Sequence, residues 1–130
     1  MRKPYCLFTI LILGVLSCSP SEGLEQQVLG KWMIDKVYED EQDVTVEHNP
    51  KKDRWIKFNR NSSFESGGDP YGYNDGTWDV SHENSTLFLD SSVEGDDSEW
   101  KVIFREGKMI WTGIGTPRQE SFKIVYSKVE

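Results

Sequence analysis

In four separate stretches, large apolar side chains occupy every second position with polar or charged residues between them. Trp100, Val102 and Phe104 alternate with Glu99, Lys101 and Arg105, and Phe122, Ile124 and Tyr126 alternate with Ser121, Lys123 and Ser127. Trp78 and Val80 oppose Thr77 and Asp79, and Ile56 and Phe58 oppose Lys57 and Asn59. A strand turns successive side chains to opposite faces, so this pattern demands one enclosed interior and one wet exterior. Turn residues punctuate the runs and predict hairpins across 60–62, 82–85 and the Glu106-Gly107 pair, where glycine accepts a positive φ. Eight strands are expected at 31–38, 55–59, 63–65, 76–81, 86–90, 99–105, 108–115 and 121–129. A helical turn is expected at 25–29, and the turn-rich 66–75 reads as a loop. The acidic-then-basic 39–53 reads as loop or as a short edge strand around 44–47. Sequential hairpins with a single buried face close most simply into an all-β, eight-stranded antiparallel up-and-down barrel, which leaves no free edge.

The chain is short enough for one domain, and its 5 Trp, 5 Tyr and 6 Phe exclude a disordered tail. The 22 acidic residues outnumber 15 basic ones, so the net charge of −7 argues against nucleic acid, whose binders need a cationic footprint. It argues equally against attachment to anionic lipid by charge alone.

The first residues have a different character. Arg2 and Lys3 precede an unbroken apolar or small run at 6–16, followed by Ser17-Cys18. A basic start, an apolar core and a small residue before a break describe an export signal. The run falls short of the about 20 residues that a membrane-spanning helix needs. Val15-Leu16-Ser17-Cys18 resembles the bacterial lipobox. That resemblance implies a signal peptide at 1–17, a diacylglyceryl thioether and an acylated amine on Cys18, a short tether at 18–23 and a barrel domain at 24–130. Cys6 would leave with the signal, so Cys18 is the one cysteine expected in the mature chain, and no intramolecular disulfide can form. Loss of Arg2 and Lys3 takes the net charge to −9. Ser19 after the cysteine, by analogy with Gram-negative sorting, implies the outer membrane, with the periplasmic face favoured over the surface.

Leu29-Gly30-Lys31-Trp32 sits just after the helical turn and opens the strand series. It resembles the Gly-x-Trp start of lipocalins, and a similar cadence continues through Trp55-Ile56-Lys57-Phe58, Gly76-Thr77-Trp78 and Leu87-Phe88-Leu89. The layout over 24–130 is similar to the small lipocalin-like lipoproteins of Bacteroidota. The resemblance implies that Trp32 closes the bottom of the barrel. It also implies a late cation lying over that ring, for which Arg118 and Lys128 are the candidates.

An eight-stranded barrel is only just wide enough to be filled by its own side chains or to hold one small ligand. The expected inward set is Trp32, Ile34, Ile56, Phe58, Phe64, Trp78, Val80, Leu87, Leu89, Trp100, Val102, Phe104, Phe122, Ile124 and Tyr126. It is bulky enough to leave both readings open: a plain core, or a core with a pocket for a small apolar or amphipathic molecule. Trp100, Trp111 and Tyr126 are the candidate pocket wall, because Gly113 and Gly115 follow Trp111 and remove side-chain volume. Tyr71 and Tyr73, on a Gly-rich loop, are candidate contacts for a sugar, a protein partner or a closing mouth. His48 and His82 lie apart and read as solvated loop residues. The calcium-loop-like 90–101 carries Lys101 where a closing Glu belongs. No metal site, cofactor or catalytic set is expected, and the function anticipated is binding rather than catalysis: a small apolar ligand, or an envelope protein or glycan.

Overall fold

The computed structural model describes residues 23–129, so the signal peptide and Cys18 lie outside the described residues. The order is α1 (Leu24–Val28), β1 (Gly30–Glu39), β2 (Gln42–Asp43), α2 (Thr45–His48), β3 (Trp55–Phe58), β4 (Ser63–Gly67), β5 (Asn74–Ser81) and β6 (Thr86–Ser91). It ends with β7 (Ser98–Arg105), β8 (Lys108–Ile114), α3 (Pro117–Glu120) and β9 (Phe122–Lys128). Each of β3 to β8 pairs antiparallel with the next, β1 pairs with β3, and β1 pairs with β9 to close the ring. Eight strands therefore form a closed up-and-down barrel, and the two-residue β2 is a spur on the upper end of β1.

In the stretch expected as loop or a short edge strand around 44–47, the short strand is β2 at Gln42–Asp43 and Thr45–His48 form the helical turn α2. Asn49 explains the difference. It is buried at 3% exposure, its side-chain amide donates to the Ile34 carbonyl (3.3 Å), and its side-chain oxygen accepts from the Arg54 backbone (3.1 Å). Those bonds fold the connection back onto β1 rather than leaving it to extend a sheet. The loop between β4 and β5 is shorter than expected, at 68–73, because the strands run on to Gly67 and from Asn74. A turn of helix, α3, also follows Thr116, whose hydroxyl accepts from the Gln119 backbone as a cap, with Pro117 in the first turn.

The alternating positions go where their chemistry sends them. Of the expected inward set all are buried except Val80, Phe104 and Phe122, which are half-buried against the core because they sit at strand ends. Val37, Met109 and Trp111 join the core, with Leu24 and Val28 from α1. Val37 breaks strict alternation with Ile34 because β1 carries a register shift between Ile34 and Lys36 against β9. One extra residue there returns the next apolar side chain to the interior. Asp35, the residue at the shift, takes up the seam: its carboxylate accepts from Lys108 (2.6 Å) and from the Ser127 hydroxyl (2.5 Å).

The barrel has two unlike ends. At one, α1, the tight turns 59–62, 82–85 and 106–107 and the end of β9 come together. Trp32 is buried there; its indole donates to the Val28 carbonyl (2.9 Å) and packs against Phe104 at 6.2 Å between ring centroids. The Lys128 ammonium lies 4.9 Å from the Trp32 ring and donates to the Leu29 carbonyl (2.7 Å). The late cation over the first-strand Trp is therefore Lys128; Arg118 sits beside the opposite end. That opposite end gathers the long connections 40–54, 68–73, 92–97 and 115–121.

Candidate ligand-binding site

The cleft lies at this second, open end and has a volume of about 520 Å³. Its floor is aromatic and aliphatic. Trp111 packs against Tyr126 at 4.6 Å, Trp100 at 5.2 Å and Phe58 at 6.2 Å between centroids. All four are buried, and Ile56, Phe64, Leu89 and Ile124 extend the lining. Strand alternation places these rings on one surface, because Trp100 faces Gly113 across β7 and β8, while Trp111 faces Ile124 and Met109 faces Tyr126 across β8 and β9.

The structure brings Trp100, Trp111 and Tyr126 into a single aromatic cluster under the cleft. Burial pushes the Tyr126 phenol well above its ordinary range, against a smaller opposing pull from the Arg54 charge. The Trp111 indole N–H is buried with no hydrogen-bond partner among the described residues. The glycine of β8 acts differently from expectation. A Cβ on Gly113 would run into the Gln119 carbonyl oxygen, so that position makes room for the backbone of α3 and not for a ligand.

The rim is polar. His48, Arg54, Tyr71, Asn74, Asp96, Asp97 and Arg118 stand around the opening. His48 is not the solvated loop residue expected from sequence: it is half-buried, its ring packs edge-on to Phe122 at 5.6 Å, and its Nδ1 is 2.8 Å from the Tyr71 hydroxyl. Arg54 donates to the His48 carbonyl (3.0 Å) and lies 4.6 Å over the Tyr71 ring. Three segments distant in sequence are thus latched across one side of the mouth. Tyr71 belongs to the rim although it is 59% exposed; Tyr73, 64% exposed, is not part of the cleft lining, and its hydroxyl lies 3.5 Å from Asp75. Sequence reasoning missed His48, Arg54 and Phe122 as rim residues. Phe122 carried a usable signal as the first ring of a period-two strand; His48 and Arg54 carried none, since the turn that places them depends on Asn49. His82 is exposed at the other end and pairs with Glu25 at 2.8 Å. Among the described residues no three His, Cys, Asp or Glu side chains are grouped to hold a metal ion.

No family model and no curated protein matches the chain. Among solved structures it is similar to the crystal structure of a DUF4847 family protein from Bacteroides vulgatus ATCC 8482, with a TM-score of 0.57 and 12% sequence identity. The likeness covers 82% of this chain and 98% of that one, and at this identity it speaks for the fold alone. A lipocalin-like barrel is consistent with it.

Proposed function

We propose that this chain is a lipid-anchored protein of the cell envelope whose barrel mouth binds a small amphipathic molecule rather than catalysing a reaction. The observation that carries the binding reading is the half-open cleft of about 520 Å³, apolar at the floor and polar at the rim. Sites for small molecules have this make-up: hydrophobic and aromatic walls with a few polar groups that fix orientation. An apolar tail would lie over Trp100, Trp111 and Tyr126, where burial contributes about 25 cal/mol per Å² of apolar surface, and a polar head would meet the groups at the rim. The anchor reading rests on the lipobox-like residues ending at Cys18.

The test is titration of the purified protein with a fluorescent fatty-acid probe, followed by displacement with lipid extracted from bacterial envelopes. Saturable binding that weakens about tenfold in Tyr71→Ala with Phe122→Ala is the expected result, since each lost ring contact is worth about 0.5–1.5 kcal/mol. Absence of saturable binding across neutral, anionic and cationic amphiphiles contradicts it. A second reading, an interaction module for an envelope protein or glycan, is favoured by the exposure of Tyr71 and Tyr73 on one loop. It predicts a partner captured from envelope extract and lost in Tyr71→Ala with Tyr73→Ala. The anchor is tested by mass spectrometry of the mature N-terminus, where Cys18→Ser abolishes the lipid adduct.

A further inference from the structure

Resting on the anchored reading, we infer that the closed end of the barrel stands against an anionic lipid surface and holds the mouth away from it. The first described residue, Gly23, belongs to the closed end: it caps α1. A Cβ placed on it would meet the His82 ring at 2.8 Å, and His82 lies in the closed-end turn after β5. Four residues separate it from Cys18, and the five Cα–Cα steps between them span at most about 18 Å. A lipid on Cys18 therefore keeps α1 and the closed-end turns within that distance of the bilayer surface. The strand β7 has 8 residues, which at about 3.3 Å each and a tilt near 40° gives a barrel about 20 Å tall.

The tether alone would still allow the barrel to lie on its side. Charge chooses between the two poses. The four open-end connections, 40–54, 68–73, 92–97 and 115–121, taken with the two strand residues on either side of each, hold fourteen acidic residues against five basic ones. Counted the same way, the described closed end sets Glu25, Glu83 and Glu106 against Lys31, Lys57, Arg60, Arg105, Lys108 and Lys128. The molecule is acidic as a whole, but nearly all of that excess sits at the mouth. Beside an anionic surface the mouth is repelled and the closed end is not, an effect that acts within a screening length of about 10 Å. The cleft would then open towards the aqueous compartment, so a ligand would come from solution or from a second protein and not from the bilayer beneath.

The experiment uses the full chain, lipidated in a bacterial host and reconstituted in phosphatidylglycerol-containing vesicles. The mature chain keeps no free thiol, so Asn84→Cys (closed-end turn) and Val93→Cys (open-end loop) each give one labelling site for a fluorophore. Nitroxide headgroup lipids then report proximity. The expected result is quenching several-fold stronger at position 84 than at 93, with the difference shrinking when Lys31, Arg60 and Arg105 are all changed to Glu. Protein that floats with the vesicles yet is quenched equally at both sites, or more at 93, overturns the orientation and leaves the anchor standing. Protein that carries no lipid on Cys18 and stays in solution overturns the anchored reading and this inference with it.

Discussion

At the scale of single residues, the carboxylate of Asp35 shows how a local irregularity becomes a fastener. Burial pushes its pKa up, but hydrogen bonds from Lys108 and Ser127 and the charges of Lys108 and Lys36 outweigh that and hold it below the ordinary carboxylate range. A carboxyl depressed in the folded state stabilises the protein at pH values above its unfolded pKa, near 4, and loses that stabilisation as pH falls through the folded value. Asp35→Asn is therefore expected to lower stability at neutral pH by about 0.5–1 kcal/mol, a figure discounted for the partial exposure of the pair, and to flatten the acid limb of Tm against pH. An acid limb identical to that of the parent protein would contradict the assignment. Asn49 is the complementary case, a buried polar side chain with both ends bonded. Asn49→Leu leaves the Ile34 carbonyl and Arg54 amide short of partners and should cost about 1–3 kcal/mol in chemical denaturation. It should also weaken probe binding by releasing His48 and Arg54 from the rim.

Individual elements show where alternation was a sufficient guide and where it was not. The strands from Trp55 onward were legible because each repeats big and polar residues at a period of two, and the turns between them carry Asn, Ser, Glu and Gly in suitable places. The extent of strand β1 was legible, but which way its side chains face was legible only to Ile34. Beyond it, Val37 reads as outward until the register shift is known, and nothing local announces a bulge whose partner, β9, lies at the far end of the chain. The connection 40–54 was illegible for the same reason, since Asn49 and Arg54 find their partners on β1 and α2. Gly113 was legible as a missing side chain, but what fills the space is the backbone of α3. Gly113→Ala places a methyl group against that backbone and is expected to cost about 1–3 kcal/mol in chemical denaturation, with a distorted cleft edge near Gln119. A substitution that leaves stability and probe binding unchanged would show that α3 yields freely.

Across the whole molecule, closure makes one end a plug and the other a mouth. The plug is Trp32 with α1 beneath it, Phe104 beside it and Lys128 over its ring, tying the first and last strands together. Trp32→Ala should therefore destabilise the whole barrel by about 3–5 kcal/mol in chemical denaturation rather than affect binding selectively. The mouth is less completely packed, and its floor holds two of the five tryptophans. Those tryptophans divide the molecule usefully. Trp100 and Trp111 form the floor, Trp32 and Trp78 lie towards the plug, and Trp55 lies on the outer face of β3 with the Lys31 ammonium 4.8 Å over its ring. The direct measurement is a two-dimensional ¹⁵N–¹H spectrum of the indole groups during titration with dodecanoic acid and dodecanol. Shifts at Trp100 and Trp111 with Trp32 and Trp78 unmoved are the predicted result; five unmoved indoles, or shifts confined to Trp32 and Trp78, would contradict a ligand site at the mouth.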